Sequence, residues 1–186
     1  MFNMVGFSLF SSAAEGRPVG ELSASISSDK ISDETMVSSP DDERHLRVNI
    51  ATGWSFEASD IDILSTGISF RADRGIGNSN DTIGYGLGIF AAWYRGPFSI
   101  RADYIALAEL KSDNGIVETA FRDGQGYTIQ TRWLFHLSQD TGPLLGPMLG
   151  FEQIKYAKSR VGSLPETSTA RTTSAVLIGI TSVFYF

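Results

Sequence analysis

V-L-I-G-I-T-S-V-F-Y-F, Val176 to Phe186, closes the chain. Taken by twos from the end, one set is Phe186, Phe184, Ser182, Ile180, Ile178 and Val176. The other is Tyr185, Val183, Thr181, Gly179 and Leu177. A period of two is the signature of a β-strand, whose successive side chains point to opposite faces. One face is apolar except for Ser182. One strand folds nothing by itself, so the fold depends on whether the same alternation recurs upstream.

It recurs. His45–Glu57 puts Leu46, Val48, Ile50, Thr52, Trp54 and Phe56 on one side, against Arg47, Asn49, Ala51, Gly53, Ser55 and Glu57. Ile61–Ala72 puts Leu64, Thr66, Ile68 and Phe70 outward, with Arg71 inward. Thr82–Tyr94 sets Ile83, Tyr85, Leu87, Ile89, Ala91 and Trp93 against Gly84, Gly86 and Gly88. Those three glycines are read as a small-residue face inside a narrow barrel, since no helix pattern follows to make a phosphate loop. Phe98–Leu110 turns Arg101, Asp103 and Glu109 inward, and Ala120–His136 turns Thr128, Gln130 and Arg132 inward. Pro143–Tyr156 carries Leu145, Leu149 and Phe151 outward and Glu152 inward, although Pro143 and Pro147 are unusual in a sheet. Phe2–Ser12 supplies one further strand, read as the start of a mature protein because Met1–Ala14 lacks a basic leader.

The expected fold is therefore all-β: one domain of 186 residues forming an eight-stranded antiparallel up-and-down barrel. Connections alternate long and short. The short ones are Ala58–Asp60, Arg95–Pro97 and Leu137–Gly142. The long ones are Ala13–Arg44, Asp73–Asp81, Lys111–Glu118 and Ala157–Arg171. Long loops on one side and short turns on the other are the layout of a transmembrane barrel. No run of about 18 apolar residues exists to make a spanning helix, and 42% hydrophobic content with a mean hydropathy near zero agrees. The chain has no cysteine, so no disulfide or thiolate chemistry is available. A net charge of −6 argues against nucleic acid as a partner.

Trp54, Trp93 and Trp133 are the only tryptophans. Each falls on an outward face just before a short turn, level with Phe184 and Phe186. Indoles favour the membrane–water boundary, so these five residues are expected to form an interfacial belt. The alternating apolar end with a terminal Phe resembles the closing strand of Gram-negative outer-membrane β-barrels. The layout resembles the small eight-stranded class that includes the OmpA membrane domain and OmpX-like proteins. That resemblance implies a bacterial outer-membrane location with both termini periplasmic. It also implies recognition of Phe186 by the barrel-assembly machinery, and lipopolysaccharide and outer-membrane lipids as surroundings.

The charged inward residues are Arg47, Arg71, Arg101 and Arg132, with Glu57, Asp103, Glu109 and Glu152. An eight-stranded barrel has room only for side chains or a small ligand, and charges in so narrow a space must pair. Two stacked polar clusters that plug the lumen are expected. His136-Leu137-Ser138 with Glu152 resembles the catalytic set of lipid A deacylases. Its place beside a short turn is the wrong leaflet for lipid A, and His136 is read as a boundary residue. A partner for His45 cannot be read from the sequence alone. Ala13–Arg44 holds eight acids and three bases. It could hold Ca²⁺, bridge lipopolysaccharide through divalent ions or meet a cationic partner. The reading preferred is a solvated loop without a metal, since no spaced metal-binding motif appears.

No cofactor, metal or catalytic residue is expected. The role expected is structural, envelope-integrity or surface interaction, with an envelope or surface protein as a possible partner. The alternatives are a narrow channel or small-molecule carrier, and a lipid A-modifying enzyme.

Overall fold

The structure is a computed structural model, and it describes residues 16–32, 43–75, 81–113, 115–137 and 142–186. The strands are β1 (Arg17–Ser32), β2 (Glu43–Ser59), β3 (Asp62–Gly75), β4 (Asp81–Arg95), β5 (Phe98–Asp113), β6 (Glu118–Trp133), β7 (Phe135–His136), β8 (Leu144–Val161) and β9 (Thr167–Tyr185). Every pairing is antiparallel, and β1 pairs with both β2 and β9. β6 pairs with β8, and the two-residue β7 prolongs β6 along that same neighbour. The sheet thus closes on itself with eight staves. The amide of Phe186 donates to the Pro18 carbonyl at 3.1 Å, carrying the closure to the last residue.

The short β7 has a local cause. The register is Arg132 opposite Met148 on one side of the break and Phe135 opposite Leu145 on the other. Trp133 therefore lies opposite Pro147, which has no N–H to give. On the other side of the strand the Leu134 amide donates to the Pro97 carbonyl at 2.6 Å, one step beyond the Phe98–Trp133 pair.

The first strand corrects the sequence reading. Phe2–Ser12 lies outside the described residues. Arg17–Ser32, expected within a long acidic loop, is a stave of the barrel. Its outward residues, Leu22, Ala24 and Ile26, do alternate. Its inward residues are Glu21, Ser23, Ser25, Ser27 and Asp29, all buried. A half-strand that is small, polar and acidic looks like solvated loop until its partners are known. The same effect shortens other loops. About 9–11 residues suffice to cross a bilayer, yet β8 has 18 and β9 has 19. The expected loop Ala157–Arg171 shrinks to the residues between Val161 and Thr167.

The barrel is inside out relative to a soluble one. Ile50, Ile68, Ile89, Ile129 and Ile178 are all exposed, with Ile50 at 55%. Polar and charged side chains are buried on the other face of the same strands. An outward apolar band of this kind needs lipid as its solvent. The inward glycines of β4 make room for charge. A Cβ on Gly84 would lie 3.1 Å from Asp73 Oδ2, and one on Gly86 would lie 3.0 Å from Arg71 Cγ. Gly86→Leu should therefore displace the Arg71 side chain and destabilise the barrel by about 1–3 kcal/mol. Denaturant unfolding in liposomes measures this, with outward Leu87→Ile as a near-neutral control.

Candidate functional site: the charged lumen

Two ion-pair clusters fill the middle of the lumen. The cluster nearer the short turns is built on Glu21 of β1. Its Oε2 receives Arg132 Nη1 at 2.6 Å and also Arg101 Nη1, while the Tyr94 hydroxyl donates to Oε1. Arg101 turns its other edge to Asp103, with Nε–Oδ2 at 2.9 Å and Nη2–Oδ1 at 2.5 Å. Arg132 gives its other edge to Ser99 Oγ at 3.1 and 2.8 Å. The guanidinium of Arg101 lies 4.4 Å from the Phe90 ring centre, and that of Arg132 lies 5.3 Å from that of Tyr94. Arg101 is 1% exposed and Glu21 3%, so these ions are cut off from bulk water. The neighbouring charges and donors replace the lost hydration.

The loop-side cluster is built on Arg47 and Arg71. Arg47 reaches Asp29 at 2.6 Å, Asp73 at 3.0 Å and Glu152 at 3.2 Å. Arg71 pairs with Asp73 and Glu152. Ser27 donates to Asp29 at 2.6 Å and Thr128 to Glu152 at 3.0 Å. His45 Nε2 lies 3.9 Å from Asp29. Thr128 stands opposite both Asp103 and Glu152 in the sheet, so the two clusters abut.

Apolar layers flank them. Val19, Ala51, Phe90, Ala92, Leu134 and Val183 pack on the short-turn side. Ile105, Ala108, Leu110, Phe121, Ile154 and Tyr156 pack on the β5–β6–β8 wall toward the loops.

All four expected arginines lie in these clusters, as do Asp103 and Glu152. Glu57 and Glu109 do not. Glu57 sits at the end of β2, exposed, with Arg17 at 3.9 Å. Glu109 is turned to the outer face by bulges between Ile105 and Leu110. There it accepts from the Tyr85 hydroxyl and pairs with Arg122 at 3.1 Å. Glu21, Asp29 and Asp73 take their places. Asp73 was expected to begin a loop, and β3 instead runs on to Gly75.

The deacylase-like trio is not assembled. His136 is exposed at the short-turn rim, paired in register with Leu144. Glu152 lies eight residues further along β8, roughly 26 Å away at strand spacing, and is held by arginines. Ser138 lies outside the described residues. Among the described residues, no cluster of His, Asp and Glu is arranged to hold a metal.

The expected belt aromatics all lie at the short-turn end. Trp54 and Trp133 are exposed on the outer face, and Trp93 is half-buried there. Phe98 bridges Trp93 and Trp133 edge-on, with centroids at 6.3 and 5.8 Å. Trp93 Nε1 donates to Asp62 Oδ1 at 2.9 Å, and Arg95 meets the same carboxylate at 2.8 Å through both Nε and Nη2. The Arg95 hydrogen bonds hold the Asp62 carboxyl down to about 2, so the turn beyond the tryptophans stays ionised. Phe184 is half-buried and Phe186 is 79% exposed at the rim.

Fold and site together define the class: a closed eight-stranded antiparallel β-barrel of the outer-membrane type, with a charged lumen. No protein-family model matches the chain, and no curated protein matches it. Solved structures do. Neisserial surface protein A is 12% identical with a TM-score of 0.50, the match covering 87% of this chain and 95% of that one. The outer membrane protease OmpT of Escherichia coli is 8% identical with a TM-score of 0.53, over 94% and 98%. Ail, the attachment invasion locus protein of Yersinia pestis, is 9% identical with a TM-score of 0.48, over 89% and 98%. At such identities the likeness is one of fold.

Proposed function

We propose that this is a non-enzymatic integral protein of a bacterial outer membrane, with both termini periplasmic and a structural or surface-directed role. The observation that carries the reading is the pairing of the four guanidiniums of the two central clusters with carboxylates. Each cluster spans the lumen from strands on opposite walls: Glu21 of β1 meets Arg101 of β5 and Arg132 of β6, and Arg47 of β2 meets Glu152 of β8. An ion path would have to break these pairs. A selective pore also tends to carry a marked excess of one sign, whereas the two clusters together set four guanidiniums against five carboxylates. Against an enzyme stands the separation of His136 from Glu152. Lipopolysaccharide around the loop-end outer face and recognition of Phe186 during assembly belong to the same proposal. The test is conductance in planar bilayers. The plugged barrel should show no large, steady, ion-selective current. Sustained current from folded protein would overturn the proposal.

A further inference from the structure

Among the described residues, the lumen is not filled to its short-turn mouth. Beyond the Tyr94 layer it widens into an open cavity of about 1000 Å³. Ile63, Leu134, Pro143 and Leu144 line its walls, together with Tyr94 and Tyr185. Small-molecule sites are typically apolar concavities of about 300–1000 Å³ with a few placed polar groups. This one lies at the upper end of that range.

Charge and hydrogen bonding narrow what it would take. At the rim, Arg17 faces Glu57 at 3.9 Å, and both are exposed to water. At the floor, Glu21 already receives Arg101, Arg132 and the Tyr94 hydroxyl. Among the described residues, neither end offers an unmatched side-chain charge to an ionic ligand. The Tyr185 hydroxyl is different, being buried with no hydrogen-bond partner among the described residues. A buried polar group left unpaired is costly. Tyr185 belongs to β9, whose next neighbour around the barrel is β1, so its position is fixed by the closure itself.

We propose that this cavity is a binding site for a neutral, largely apolar small molecule carrying one hydrogen-bonding group. It enters from the short-turn side and pairs with the Tyr185 hydroxyl. The site is separate from the ion-pair clusters, and its existence does not depend on whether the barrel conducts.

The test uses the full chain in lipid nanodiscs with methyl-labelled Ile and Leu. Two probes share one aromatic body: neutral N-phenyl-1-naphthylamine and its anionic analogue, 8-anilinonaphthalene-1-sulfonate. The neutral probe should shift the Ile63, Leu134 and Leu144 methyls saturably. Ile68 and Ile129, on the lipid face, should drift without saturating as the probe enters the bilayer. The anionic probe should bind at least about tenfold more weakly, the scale of one unmatched polar burial. Tyr185→Phe should weaken the neutral probe about 3–10-fold, the worth of one hydrogen bond. Outward Tyr104→Phe should change nothing. Ile63→Trp, which narrows the cavity at its wall, should weaken the saturable shifts at Leu134 and Leu144 while leaving the amide spectrum of the barrel intact. Four results would each overturn the proposal: no saturable shift at the three methyls, equal affinity for the two probes, indifference to Tyr185→Phe, or contacts from Phe2, Phe7 or Phe10 to Ile63 showing that the chain's own residues occupy the cavity.

Discussion

Glu21→Ala should destabilise the barrel by about 3–5 kcal/mol, the cost of leaving buried charge unpaired. Among the described residues Glu21 is the one carboxylate that Arg132 meets, Ser99 being neutral, and it also serves Arg101 and Tyr94. Arg101 would keep Asp103; Arg132 would keep only a hydroxyl and the Tyr94 ring. The loss is therefore expected to fall mainly on Arg132. Adding Arg132→Met to Glu21→Ala should recover a substantial part, because it removes the stranded ion rather than another contact. Reversible urea unfolding in liposomes reads both variants. If the double variant is less stable than the single by a full additive increment, the two residues do not act as a pair.

Ile50→Arg should cost about 2–4 kcal/mol, the penalty for a cation facing mid-bilayer hydrocarbon. Ile50 is outward and lies in the middle of β2, between Leu22 of β1 and Phe70 of β3. Ile50→Leu keeps the surface apolar and should cost less than about 1.5 kcal/mol. The same unfolding assay separates them. An Ile50→Arg variant as stable as the parent would mean that this face does not meet lipid.

The outward faces of β2 to β6 were legible because each carries three or more large apolar or aromatic residues at alternating positions, and because the tryptophans fell into the same register independently. The four lumenal arginines followed from that register. What failed was the reading of residues whose company is set by pairing rather than by their own pattern. Glu109 has the inward parity of Arg101 and Asp103, yet the bulges between Ile105 and Leu110 reverse it. The partner strand is irregular there too, with Asp123 at φ +53°, and nothing in the composition of β5 announces it. Glu57 kept its parity but ran past the end of the buried lumen. Glu21 and Asp29 were hidden by burial itself: on the inward face of β1 they look like loop acids, because only Arg101, Arg132 and Arg47 explain them. One signal was available. Leu22, Ala24 and Ile26 alternate with serines within that segment, which is a strand pattern in its own right.

Barrel closure and the lumenal pairing both depend on β1 as a stave between β2 and β9, with Glu21 and Asp29 inside. Nitroxide labels placed singly from Val19 to Asp29, in protein reconstituted in liposomes, test that directly through their accessibility to oxygen, which concentrates in the bilayer. The account predicts a period of two with maxima at Leu22, Ala24 and Ile26 and minima at Glu21, Ser23, Ser25 and Ser27. Uniformly low oxygen accessibility with uniformly high accessibility to a water-soluble nickel reagent would place the segment in solvent and contradict it.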